Sequence, residues 1–269
     1  MAPETGRAEA ARSARLRGMP RTFDDLVAEA LAVPVGWDFG WLAGRATEAR
    51  PWWRYARLVG KRMAGAQAAL DIQTGAGELL AGLPVVPPRL AATESWPPNV
   101  ALARQRLAPV GGTVVEVADD ADLPFDDASF DLVTCRHPTV LRWPEIARVL
   151  APGGSYLSQQ VGAGSVRELT DALMGPQPVS QVRAAARALG GAEAAGLDVV
   201  ALHQQSLPMR FDDIAAVIVF LRTVIWIVPG FDVERYRDRL AALHEQISAH
   251  GPFRATSERF LIEARRPGR

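Results

Sequence analysis

Only one cysteine, Cys135, and one lysine, Lys61, occur in the 269 residues. A single thiol excludes an intramolecular disulfide and a cysteine metal cluster. The four histidines, His137, His203, His244 and His250, show no close ligand spacing, so no metal site is expected. Net charge is missing as well: 30 basic and 30 acidic residues give a formal charge of +0. No strong field therefore favours nucleic acid or a membrane surface. The longest apolar run, Ile214 to Leu221, stops at Arg222, short of the roughly 18 residues that a membrane span needs. The basic start lacks the apolar stretch of a secretory signal, so a cytoplasmic protein is expected. Arginine in place of lysine, with much alanine and glycine, points to a GC-rich, bacterial genome.

Against these absences stands a hydrophobic content of 48%, enough for a full core. The length suits one large domain with appended helices. Residues 1–20 carry Arg7, Arg12, Arg15 and Arg17 among small residues and read as a flexible basic tail. Residues 21–66 read as an N-terminal helical cap. One helix starts at Thr22-Phe-Asp-Asp25 and runs to Ala32; another opens at Pro51 and runs to about Ala64. Four of the seven tryptophans fall in this part. They either pack the helices onto a sheet or line a lid.

From residue 67 the pattern changes to alternating strands and helices. Ala68-Ala-Leu-Asp-Ile72 is a strand carrying Asp71 near its end, and a turn with Gly75 and Gly77 leads into a short helix. Strand, glycine turn and helix form the first unit of a nucleotide-binding α/β domain, or a plain strand-to-helix turn. Leu90 to Glu94 reads as a second strand. Glu94 lies 23 positions after Asp71, close to the roughly 20-residue spacing at which a carboxylate meets ribose hydroxyls. The other reading is a solvent-facing acid. Trp96 lies either on an adenine face or over the sheet edge, and Asn99 is placed to cap a helix from Val100 to Leu107. A third strand from Val114 ends at Asp119-Asp120, and a fourth covers Phe130 to Thr134 and leads into Cys135-Arg136-His137. An NAD(P) fingerprint would need glycine where Leu80 stands.

The Leu123-Pro-Phe125 turn, the Ser129-Phe-Asp131 segment and Glu145 to Leu157 with its Pro-Gly-Gly turn carry a specific likeness. Over about Leu70 to Val161 the chain resembles the class I S-adenosylmethionine-dependent methyltransferase family. The resemblance implies an α/β, Rossmann-like, doubly wound seven-stranded sheet with the last strand antiparallel. It implies S-adenosylmethionine as cofactor, bound by Asp71, Gln73, Gly75, Gly77, Glu94, Ser95, Trp96, Asp119, Asp120 and Arg136. Asp119 would accept from the adenine amino group. His137 is the candidate general base, or else it only orients its loop. Gln73 departs from the pattern, since the family usually has glycine there. Its side chain either replaces a contact or narrows the site.

The remaining strands are read as Ser155 to Gln160, Leu197 to Gln204 and Phe253 to Ala264. Helices are read from Ser165 or Gly164 to about Leu173, over 181–195, from Asp212 as cap to Trp226, and from Val233 to His250. Residues 67–269 thus form the catalytic domain, with a helical insertion at about 212–250. The apolar helix in it is core, a pocket roof or a dimer face. The expected function is methyl transfer to an O, N or C atom of a small molecule, in bacterial secondary metabolism. The alternatives are an RNA- or protein-modifying methyltransferase and a cofactor-binding protein without transferase activity. No nucleic-acid or membrane partner is expected, and the oligomeric state stays open.

Overall fold

A computed structural model describes residues 21–36 and 39–268. The tail expected over 1–20 lies outside the described residues, as do Trp37 and Asp38 of the aromatic stretch. The chain divides into two compact units.

The larger unit holds residues 48–171, 175–209 and 255–269. Its strands are β2 (Ala68–Ile72), β3 (Arg89–Glu94), β4 (Thr113–Glu116), β5 (Phe130–Arg136) and β6 (Leu150–Val161), with most of β7 (Asp198–Phe211) and β8 (Phe253–Arg265). With β1 (Ala46–Glu48), the sheet order is β1-β7-β8-β6-β5-β2-β3-β4. Pairings from β4 through β6 are parallel, and β6 pairs β8 antiparallel. The sheet has eight strands rather than seven; the extra one is the three-residue β1, read from sequence as part of the cap.

Both faces of this sheet are covered, and the residues alternate accordingly. Leu70, Val133, Tyr156 and Ile262 point into one core with Trp143, Ile146, Ala188 and Ala192. Their neighbours Ala69, Leu132, Leu157 and Leu261 point into the other, with Val59, Met63, Leu80 and Leu107. The helices that supply these partners are α2 (Tyr55–Met63), α3 (Glu78–Ala81), α4 (Pro97–Leu107), α5 (Trp143–Val149) and, after α6 (Arg167–Met174), α7 (Ala185–Ala194).

Several boundaries differ from the sequence reading, each for a local reason. Helix α2 begins at Tyr55 rather than Pro51, because Arg54 sits at φ +49° in the left-handed region. Helix α4 begins at Pro97, so Asn99 is inside it, buried, and is no cap. Strand β4 stops at Glu116, so Asp119 and Asp120 lie beyond it. β4 is the sheet's edge and its one partner, β3, ends at Glu94. After Val117 N–H donates to Glu94 O at 3.0 Å, the backbone has no further strand to pair with. Strand β7 continues through Pro208 to Phe211, with Leu207, Met209 and Phe211 buried at alternate positions. The sequence reading ended this strand at Gln204; beyond it the Pro208 carbonyl accepts from Ala49 N–H at 3.0 Å.

The smaller unit takes 21–47, 172–174 and 210–254. The expected cap over 21–66 is therefore split between the units. Here α1 (Phe23–Ala32) packs against α8 (Ile214–Thr223), and α9 (Arg237–His250) follows. Thr22 and Asp25 form a capping box on α1. The α8 cap is Asp213, not Asp212. Its Oδ1 accepts from Ala216 N–H at 2.8 Å and its Oδ2 from Arg45 Nη2 at 2.7 Å. Every residue of α8 except Arg222 is buried, so the apolar helix is the core of this unit. Among the described residues no helix is long and apolar enough to cross a membrane.

Candidate functional site

The sheet runs from β2 to β3 and β4 in one direction and from β2 to β5 and β6 in the other. A crevice opens at the carboxyl ends of strands where the order reverses in this way. Here the opening measures about 430 Å³ with its mouth. Gln73, Asp119, Cys135, Val140 and Ile146 are among its lining residues. All belong to the larger unit.

On the β2 side the last strand residue but one is Asp71, which is buried. Its Oδ1 accepts a hydrogen bond from the Thr134 hydroxyl on β5. Burial, only partly offset by that bond, raises its carboxyl from 3.8 to about 6. The turn that follows is held by Glu94. This buried carboxylate accepts from Gly75 N–H at 2.8 Å, Ser95 N–H at 3.0 Å and Trp96 N–H at 2.9 Å. Glu94 thus ties together the loops after β2 and β3. Gly75 has φ +66° and open space where a Cβ would stand. Gly77 differs: a Cβ there would lie 3.3 Å from Ala103 Cα, so this glycine serves packing of the turn on α4.

Gln73 spans the crevice. At φ +55° it sits in the left-handed region. Its Oε1 accepts from Thr139 N–H at 2.7 Å and its Nε2 donates to Val140 O at 2.7 Å. The Thr139 hydroxyl in turn donates to Asp119 Oδ2. Asp119 Oδ1 is buried and has no hydrogen-bond partner. A buried acceptor left in that state is costly, and it marks where a ligand donor fits. Asp120 is exposed and Trp96 is 36% exposed.

A second group of polar residues lies past the ends of β5 and β6. Tyr55 O–H bonds the carbonyls of Cys135 at 3.0 Å and Leu157 at 3.2 Å. Trp53 Nε1 donates to Gln159 Oε1 at 2.8 Å. That leaves the Gln159 Nε2 amide, 3.1 Å from His137 Nε2. Amide nitrogen donates only, so the imidazole Nε2 must accept and the ring is the neutral Nδ1–H tautomer. Burial lowers the His137 pKa well below its ordinary value, and Arg259, Arg136 and Arg183 add to the effect. His137 itself has φ +57°, fixed by its N–H donating to Gln159 O at 2.7 Å.

The structure therefore brings Gln73 and Asp119 to the crevice, and Glu94, Ser95 and Trp96 to the Gly75 turn. His137 and Arg136 lie toward Gln159. Sequence reading missed Thr134, Thr139 and the link from Trp53 through Gln159 to His137, of which it had named His137 alone as a site residue. The signal for Thr139 was its place just past a central parallel strand. Trp53 gave none, since its indole reaches Gln159 across 106 positions.

The stretch 70–158 matches the model of a family described as "Methyltransferase domain". A malonyl-[acyl-carrier protein] O-methyltransferase of Marinomonas sp. (strain MWYL1) is 29% identical over 171 residues, 59% of this chain. The chain spans 63% of that relative's length. The YcgJ protein of Bacillus subtilis superposes with a TM-score of 0.58 at 20% identity, over 80% of this chain and 99% of its own. A structure concerned with conversion of a disulfide into a thioacetal in echinomycin biosynthesis gives a TM-score of 0.52 at 18% identity, over 86% and 84%. At these identities the structural likenesses are likenesses of fold.

Proposed function

We propose, on the premise that residues 70–158 are a methyltransferase domain of the class I, S-adenosylmethionine-dependent kind, that the chain transfers a methyl group from that cofactor to a small-molecule acceptor. The observation that carries the reading is the buried, unpartnered Oδ1 of Asp119 at the crevice. In our reading it accepts from the adenine amino group. Asp120 follows it in the turn, and Trp96 flanks the base. Glu94 keeps lone pairs beyond its three backbone bonds and takes the ribose hydroxyls. Gly75 leaves room for the cofactor, and Asp71 and Arg136 serve its methionine end. When bound, S-adenosylmethionine supplies an electrophilic methyl next to a sulfonium cation. The protein's task is then to hold the acceptor in line with it. His137, engaged by Gln159 through Nε2, acts as a positioning group for the acceptor rim; proton removal at Nε2 would first require that bond to break. The relative acts on malonyl-[acyl-carrier protein], which supports an oxygen acceptor here too. The near-balanced charge supports a partner other than nucleic acid, and a cytoplasmic setting fits the same reading.

Calorimetric titration with S-adenosylmethionine and S-adenosylhomocysteine, with NADH as control, tests the proposal. Binding of the first two and not the third is expected, with Asp119→Ala at least about tenfold weaker. No binding, or an unchanged Asp119→Ala affinity, would remove the cofactor site. A second reading, binding without transfer, is favoured by the Gln73 bridge across the crevice. Tight binding with no S-adenosylhomocysteine formed from any acceptor would select it.

A further inference from the structure

The loops that follow β2, β4 and β5 are tied together at the crevice by Gln73, Asp119 and Thr139, all in the larger unit. In the sheet order, β2 and β3 stand between β5 and β4. Thr139, after β5, nevertheless hydrogen-bonds Asp119, after β4. Their contact therefore spans the ends of the two strands between them. Gln73, after β2, holds Thr139 for that contact. Its Oε1 accepts from Thr139 N–H and its Nε2 donates to Val140 O, both at 2.7 Å. These two bonds settle which end of the amide is oxygen, because a backbone N–H only donates and a carbonyl only accepts. Thr139 and Val140 are both exposed, so packing does little to hold them and the Gln73 amide does more.

The Thr139 hydroxyl has one proton and two acceptors in reach, Asp119 Oδ2 and, at 3.0 Å, Gln73 Oε1. The carboxylate is the stronger acceptor and takes it. Asp119 is then committed through Oδ2, while its buried Oδ1 has no partner. A carboxylate free to rotate could turn away from an unsuitable ligand; one held through Oδ2 offers Oδ1 in a fixed direction. We infer that Thr139, clamped by Gln73, is a positioning residue that fixes the Asp119 carboxylate for a ligand amino group, so that the crevice selects a 6-aminopurine over a 6-oxopurine. This rests on the reading of Asp119 given above and assigns the aim of its carboxylate to two residues that read places elsewhere. A purine 6-amino group donates to Oδ1. A 6-oxo group would set two acceptors face to face and leave both buried without a proton.

The test is calorimetric binding of S-adenosylhomocysteine and S-inosylhomocysteine, which differ only at that edge of the ring, to the full chain. The wild type should favour the amino compound by at least about tenfold. Thr139→Val, close in shape but without the hydroxyl, should lower that ratio by about fivefold or more. Thr139→Ser, which keeps the hydroxyl, should restore it. Gln73→Gly, which suits the φ of +55° and removes the amide, should lower the ratio as well. A merely structural loss would weaken both ligands alike and leave the ratio where it was. A wild-type ratio near one overturns the inference and leaves the cofactor reading standing. A ratio unchanged in both Thr139→Val and Gln73→Gly overturns it too, as does a Thr139→Ser variant that behaves like Thr139→Val. Failure of the wild type to bind S-adenosylhomocysteine strikes the cofactor reading, and the inference falls with it.

Discussion

Asp71 shows how one buried carboxyl can weaken a fold. Its carboxyl is raised from 3.8 to about 6 by burial. Between those two values the folded chain binds more protons than the unfolded one. Stability from this group is full below about 3.8 and falls as pH rises through about 6. At neutral pH the charged form then costs about 3 kcal/mol, at about 1.4 kcal/mol per unit. Asp71→Asn keeps an acceptor for the Thr134 hydroxyl and removes the buried charge. It should melt several degrees higher than wild type at pH 7.5, and the gap should close toward pH 4. A variant that melts lower at pH 7.5 would contradict the argument. Asp71, Glu94 and Asp119 were legible in the sequence because each stands at or just beyond a strand's carboxyl end. The bridge made by Gln73 was not. An amide at a position with φ +55° gives no clue that its partners lie 66 and 67 positions on.

At the scale of the element, α7 offers two adjacent glycines with opposite demands. A Cβ on Gly191 would stand 2.4 Å from Trp143 Cδ1, while a Cβ on Gly190 meets nothing within 4 Å. The first glycine lets the helix lie directly on the Trp143 ring, which itself packs edge-on against Tyr156 at 5.2 Å. The second only weakens the helix. Gly190→Ala should stabilise the protein by up to about 1 kcal/mol. Gly191→Ala should destabilise it by about 1–3 kcal/mol. Urea denaturation of both variants checks the signs, and equal effects would mean that α7 does not rest on Trp143. Sequence reading ran this helix over 181–195, four residues early at its start, and could not separate the two glycines, since only packing distinguishes them. It also chose Asp212 over Asp213 as the α8 cap, for the same reason. Either acid suits a cap chemically, and the Arg45 ion pair selects the second.

For the molecule as a whole, the mainly parallel sheet and its antiparallel last strand followed from the strand–helix alternation and the resemblance together. The division into two units did not, because each is assembled from separated segments. The molecule carries one internal reporter of crevice opening. Cys135 is fully buried, lines the crevice, and has its thiol pushed up by burial. Alkylation of Cys135 should be slow in the free protein and slower still with S-adenosylhomocysteine bound. Fast modification, or a rate indifferent to cofactor, would show that the thiol is reached by another route. The sheet also sets a timetable for synthesis. β8 lies inside the sheet between β7 and β6, and Phe260 pairs with Gln160. The smaller unit likewise closes only with residues 210–254. A nascent chain emerging from the ribosome therefore holds β6 as an open edge for about a hundred residues of translation. During that interval the growing polypeptide depends on chaperones more than its finished stability would suggest.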